Sequence, residues 1–173
     1  MANDAEFDAV ILKEYRLTVR TLLDVGSHEI INNPSPRHAS IIIEEMIKHA
    51  RVSFRAFAGQ MNVEVWNPNV MSALKMAIQR GVNVRLIVER VCDPILINSM
   101  PEIVRGAVNR LMKNGEFDPQ SYSHCAIGDG RSLRLEMDRV KKSAIFTANN
   151  PELASTAASI FDSLHVLSVP YAV

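Results

Sequence analysis

The sequence predicts an α/β protein: a mixed, mainly parallel sheet flanked by helices, extended at the amino terminus by one more helix. Three observations lead there. Residues 71–89 read as a helix, a glycine turn and a buried strand. Leu74, Ala77 and Ile78 fall at helical spacing, Gly81 stands where a helix C-cap needs positive φ, and Val82, Val84, Leu86 and Val88 alternate around Ile87. A helix returning into a strand covered on both faces is half of a β-α-β crossover, the unit that a parallel sheet requires. Asp129-Gly130 separates two strand-like runs and is a strong hairpin signal, so part of the sheet is antiparallel. The full order, α-α-β-α-β-α-β-β-β-α, fits one sheet with helices packed against it.

Residues 8–24 carry Val10, Ile11, Tyr15, Leu17, Leu22 and Leu23 among Lys13, Glu14, Arg16 and Arg20, which predicts an amphipathic helix ending near Gly26. It serves either as a packing arm or as a partner-binding face. The run Asn32-Asn33-Pro34-Ser35-Pro36 is the clearest punctuation in the chain, and Ser35-Pro36 is a good N-cap and N1 pair for a helix over 36–49. A division at this point gives a helical arm over 1–34 and an α/β domain over 35–173. Residues 51–59 alternate as a strand with Val52, Phe54, Ala56 and Ala58 on one side, and Asn67-Pro68 turns the chain into the next helix. The segment after Glu89 reads as irregular. A helix is expected over 101–113, started by Ser99 and stopped by Asn114-Gly115. Strands are expected over 122–129, 132–139 and 143–148. A last helix over 151–167 has Leu153, Ala157, Ile160, Phe161 and Leu164 as its stripe.

The chain has 173 residues, 47% of them hydrophobic, which is ample for one core. Its 19 basic and 19 acidic side chains cancel, which argues against a sequence-independent nucleic-acid coat, since phosphate contacts supply that affinity. No apolar run reaches the length of a membrane span, and the acidic start MANDAEFDAV does not resemble a signal peptide. Cys92 and Cys125 form no CxxC pair and read as free thiols, consistent with a cytoplasmic protein. The histidines and cysteines show no zinc spacing, and no P-loop or dinucleotide fingerprint is present, so no metal or cofactor is expected.

The run HASIIIEEMIKHARVSFRAF, followed by ALKMAIQRGVNVRLIVE, resembles the start of one half of a phospholipase D superfamily domain, and the resemblance extends over roughly residues 36–167. That family's signature is His-x-Lys, four residues, an Asp, then Ser-x-Asn on a later strand. Its histidine attacks phosphorus, its lysine and asparagine hold phosphate oxygens, its aspartate orients the histidine, and its chemistry is metal-independent. One register lays Tyr122-Ser123-His124 on His-x-Lys, Asp129 on the Asp and Thr147-Ala148-Asn149 on Ser-x-Asn, with the hairpin arm over 132–139 lengthening the last gap. Moving His124 to the nucleophile's place puts Ala126 on the lysine and shortens the spacing to Asp129. Neither register restores the histidine–lysine pair. A phenol with a pKa of about 10 is a poor nucleophile, and covalent phosphoryl transfer needs a cation on the developing charge. The expected candidate pocket is Tyr122, His124, Asp129, Thr147 and Asn149. Each residue also has a plainer reading: a core histidine for His124, a turn residue for Asp129, caps of the last helix for Thr147 and Asn149, and a buried thiol for Cys125.

Arg85, Arg90, Arg131, Arg134, Arg139, Lys141 and Lys142 could form a basic face for a phosphate-bearing ligand or nucleic acid, although Asp118, Asp129, Glu136 and Asp138 lie among them. In this family two halves pair within one chain or across a two-fold axis, so the resemblance implies a homodimer. Copies with a degenerate site resemble the sensor or dimerisation portions of bacterial regulators, which makes a non-catalytic binding or regulatory module the expected function. The two competing expectations are a phosphodiesterase or nuclease with a non-standard site, and an interaction protein that docks a larger partner through its first helix.

Overall fold

The computed structural model describes residues 2–90, 92–112, 122–138, 140–141 and 143–171. Six helices, α1 (Ala2–Val25), α2 (Pro36–His49), α3 (Pro68–Gln79), α4 (Pro94–Ser99), α5 (Glu102–Arg105) and α6 (Pro151–Val166), surround eight strands among the described residues. The strands are β1 (Ile30–Asn33), β2 (Ser53–Ala58), β3 (Asn83–Val88), β4 (Val108–Leu111), β5 (Cys125–Gly128), β6 (Ser132–Asp138), β7 (Ser143–Thr147) and β8 (Ser168–Pro170). They form a single sheet in the order β1-β7-β6-β5-β2-β3-β4-β8.

The fold class is the one expected, a mixed sheet flanked by helices, but the parallel part is smaller than the sequence suggests. Among the described residues, β2–β3 and β3–β4 are the parallel pairs, and all the other pairings are antiparallel. The cause is local. Asp129 (φ 50°) and Gly130 (φ 66°) both take the left-handed conformation of a tight hairpin, so β6 folds straight back on β5. The expected helix–turn–strand unit is present, with Gly81 at φ 87° leading α3 into β3.

β2 and β3 lie at the centre and are covered on both faces. Phe54, Ala56, Leu86 and Val88 face the core under α2 and α3, while Phe57 and Ile87 face the core under α6, with Ala157, Phe161 and Leu164. The outer helix α1 lies on α2 through Val19 and Leu22. Ser35 caps α2 by accepting from the His38 N–H, as expected, and Asn67, expected as a turn residue, also caps α3. In the stripe expected for α6, Leu153 and Ile160 are partly exposed, and Ala154 takes a core position instead.

Three expectations are corrected. The segment after Glu89 is not irregular: Asp93 accepts from the Ile95 N–H and starts α4. The helix expected over 101–113 is only the four-residue α5. Beyond Gly106, Val108 and Leu111 are buried in β4, where pairing with β3 and β8 outweighs helical spacing. Its expected stop at Asn114-Gly115 lies outside the described residues. The punctuation over 32–36 contains the end of a strand, β1, whose pairing with β7 ties the amino-terminal segment into the sheet.

Candidate functional site

A cleft of about 710 Å³ opens at the carboxyl ends of β2 and β3. This is where α/β sheets usually place ligands, because loops leaving adjacent strands diverge there. Gly59 directly follows β2 and Glu89 directly follows β3, while antiparallel β5 begins at this same edge just after His124.

His124 is at the centre of the polar lining. Its Nε2 is 3.1 Å from Glu89 Oε2 and its Nδ1 is 2.5 Å from Glu136 Oε2. The hairpin creates this arrangement: the Glu136 N–H donates to the His124 carbonyl at 2.9 Å, so the two side chains share one face of the sheet. Phe57 meets the imidazole edge to face at 5.3 Å. Gly59 makes room for the ring, since a Cβ there would lie 2.6 Å from His124 Cε1 and 2.7 Å from Nε2. A carboxylate oxygen thus lies close to each ring nitrogen, and the contact with Glu89 has hydrogen-bond geometry.

The other end of the cleft is built from β1, β6 and the start of α2. Arg134 Nε donates to Asn33 Oδ1 at 2.6 Å, and Asn33 Nδ2 donates to the Ser35 carbonyl at 2.9 Å. Burial pushes the Arg134 pKa down against the opposing pull of Glu136, Cys125 and Tyr15. Burial also pushes the Tyr15 phenol up to about 12, against the effect of Arg134, while its hydroxyl donates to the Asn32 carbonyl at 2.9 Å.

The five residues expected to form a pocket are not brought together. His124 lines the cleft. Tyr122 packs on the core under α6. Asp129 sits at the hairpin turn, where its carboxylate accepts from the backbone N–H groups of Arg51, Val52 and Ser53 at 2.8–2.9 Å. Thr147 is buried within β7, and its hydroxyl has no hydrogen-bond partner among the described residues. Asn149 donates to the Gly26 carbonyl at 3.1 Å and so secures the end of α1; the cap of α6 is Asn150. Cys125 points to the opposite side of the sheet from Ala126, and burial pushes its thiol up to about 11.

The seven cations expected on one face are also dispersed. Arg90 and Arg134 line the cleft. Arg85 lies on the other side of the sheet, 2.9 Å from Asp162 and over the Phe161 ring. Arg131 is at the hairpin tip, and Lys141 pairs with Asp138 at 3.8 Å. Arg139 and Lys142 lie outside the described residues.

Residues of this site that sequence reasoning missed are Asn33, Ser35, Gly59, Glu89 and Glu136. Two signals pointed to them: Gly59 and Glu89 each follow a buried strand, and Glu136 stands opposite His124 once the Asp129-Gly130 hairpin is closed. Among the described residues, no group of three or more His, Cys, Asp or Glu is arranged to hold a metal, and no helix is long and apolar enough to cross a membrane.

The chain matches no protein-family model and no curated protein. Its fold is nevertheless found in solved structures. The chain is similar to Nuc, a phospholipase D family member from Salmonella typhimurium, with 18% identity and a TM-score of 0.61, over 84% of this chain and 97% of that one. It is similar to NucT from Helicobacter pylori, with 16% identity and a TM-score of 0.56, over 83% of this chain and all of that one. It is also similar to TrmBL2, an archaeal chromatin protein, with 13% identity and a TM-score of 0.65; here the likeness takes in 98% of this chain, α1 included, and 65% of that one. The fold is therefore phospholipase D-like.

Proposed function

With a phospholipase D-like fold as the premise, we propose that this chain is a non-catalytic binding or regulatory module that acts as a homodimer. The observation that carries this reading is the setting of His124. A histidine that attacks phosphorus needs one unprotonated ring nitrogen facing the substrate and a cation beside it. Here each ring nitrogen faces a carboxylate oxygen, and Ala126 is the residue two positions along on the same face. Glu89, Glu136 and Asp93 make this part of the cleft unfavourable for a phosphodiester. The likeness to a chromatin protein over nearly the whole chain adds weight to the regulatory reading; DNA binding is described for that protein, of which this chain spans 65%.

The test is hydrolysis of bis(p-nitrophenyl) phosphate and single-stranded DNA in EDTA. Background rates are expected in both wild type and His124→Ala. EDTA-resistant turnover that disappears in the variant would overturn the reading and restore the phosphodiesterase.

The homodimer has separate support. While Leu12, Tyr15, Val19 and Leu22 face α2, the outer side of α1 exposes Phe7, Val10, Ile11, Leu17 and Val25 along one stripe. A second copy of α1 would cover such a seam. Sedimentation equilibrium is expected to give a dimer that Leu17→Glu shifts toward monomer. A monomeric wild type would instead favour the reading in which α1 docks a larger partner.

A further inference from the structure

Arg134 has one side of its guanidinium occupied and one side open. Nε is held by Asn33, which is 2% exposed and itself anchored to the Ser35 carbonyl. Among the described residues that is the one hydrogen bond Arg134 makes, so the edge formed by its two terminal nitrogens bonds no described protein atom. Arg134 nevertheless lines the cleft, beside Ala126 in register and on the same face as Glu136. A guanidinium fixed at Nε presents two parallel N–H donors from its far edge, the geometry that matches the two oxygens of a carboxylate. Burial already disfavours the charge of Arg134, and a bound anion would relieve that cost.

We propose that the cleft binds a small hydroxylated monocarboxylate, its carboxylate taken by the terminal nitrogens of Arg134 and its hydroxyl groups by Glu136 and the amides nearby. This deepens the binding-module reading and rests on it. The cleft is lined by two guanidiniums, Arg134 and Arg90, against three carboxylates, Glu89, Asp93 and Glu136, so a single negative charge is accommodated better than a phosphate dianion. The remaining lining suits hydroxyl groups: Gln60 and Asn62 supply amides that donate and accept, and the carboxylates accept. The volume, about 710 Å³, accommodates a chain of several hydroxylated carbons.

The test uses matched pairs that differ only in the carboxylate: D-gluconate against D-glucitol and L-lactate against 1,2-propanediol, with inorganic phosphate as a third arm. Each is titrated calorimetrically into the full chain and into Arg134→Gln and Arg134→Lys. At least one carboxylate is expected to bind ten-fold or more tightly than its alcohol. Arg134→Lys, which keeps the charge but removes the two-pronged edge, is expected to lose most of that preference. Equal binding within both pairs, binding of phosphate in preference, or no binding by either carboxylate would overturn the inference. The wild-type comparison decides the matter even if Arg134→Gln fails to fold. Background phosphodiester turnover alongside any of those results removes this inference alone, while EDTA-resistant turnover dependent on His124 brings down the reading beneath it.

Discussion

At the α1–α2 contact, Glu45 is 1% exposed and meets Arg16 at 2.6 Å, Arg20 at 3.1 Å and Lys48 at 3.3 Å, while Glu44 pairs with Arg16 and Lys48. In the cleft, two carboxylates converge on His124, and Arg134 stands apart with one edge of its guanidinium open. Both regions remove charges from water. In the first, cations pair with each carboxylate and join α1 to α2, so the network works as a fastener for α1. In the second, the carboxylates gather at His124 while the terminal edge of Arg134 bonds no described protein atom, all around an open volume. Burying charge without closing the pairs costs stability, and a fold retains such an arrangement most readily where a ligand completes it.

Glu45→Ala leaves Arg20 without its buried partner and Arg16 with Glu44 alone, and is expected to cost about 2–3 kcal/mol, less than a fully buried pair because both arginines are partly exposed. Urea unfolding measures the loss, and ligand binding in the cleft should be unchanged. Asp129→Ala removes the acceptor of three backbone N–H groups and should cost about 2 kcal/mol. Because Asp129 lies outside the cleft, this variant too should leave binding intact; a binding defect larger than its stability loss would return Asp129 to the site.

Acid sharpens the contrast. Burial raises the carboxyls of Glu44 and Glu45, but hydrogen bonds from Arg16, Arg20 and Lys48 outweigh it and hold both below the ordinary 4.5. Their folded values are depressed, so the stability they contribute is fully present above pH 4.5 and is lost as pH falls through those lower values. Thermal melts from pH 7 to pH 3 should therefore show a steep loss at the acid end, and Glu45→Gln should flatten it. The smallest effect is expected from Gly59→Ala, about 1 kcal/mol in stability, because the new methyl pushes the His124 ring away from Glu89. Here the ordering of effects reverses: binding in the cleft should suffer more than folding does, which calorimetry beside urea unfolding would reveal.

The fold was legible where local chemistry and tertiary role agree. Ser35-Pro36, Asn67-Pro68, Gly81 and Asp129-Gly130 each force one backbone geometry, and the elements they bound stand where expected. It was illegible where pairing overrides local spacing: Val108 and Leu111 fit a helix stripe equally well until β3 and β8 are in place. The site was harder to read, because its members come from separate elements. His124 meets Glu89 across 35 residues, and Arg134 meets Asn33 across 101, distances over which a sequence carries no spacing signal. Aspartate and asparagine at Asp129 and Asn149 matched a family pattern by residue type, yet they satisfy backbone groups at a strand start and a helix end.

The most direct test of the claim that His124 is held and not poised to attack is intact-mass spectrometry after incubation with bis(p-nitrophenyl) phosphate in EDTA and acid quench. The arrangement of Glu89, His124 and Glu136 predicts an unmodified chain at every time point. A phosphoryl adduct that maps to His124 would contradict it, and would mean that one of the two carboxylates yields its nitrogen to substrate.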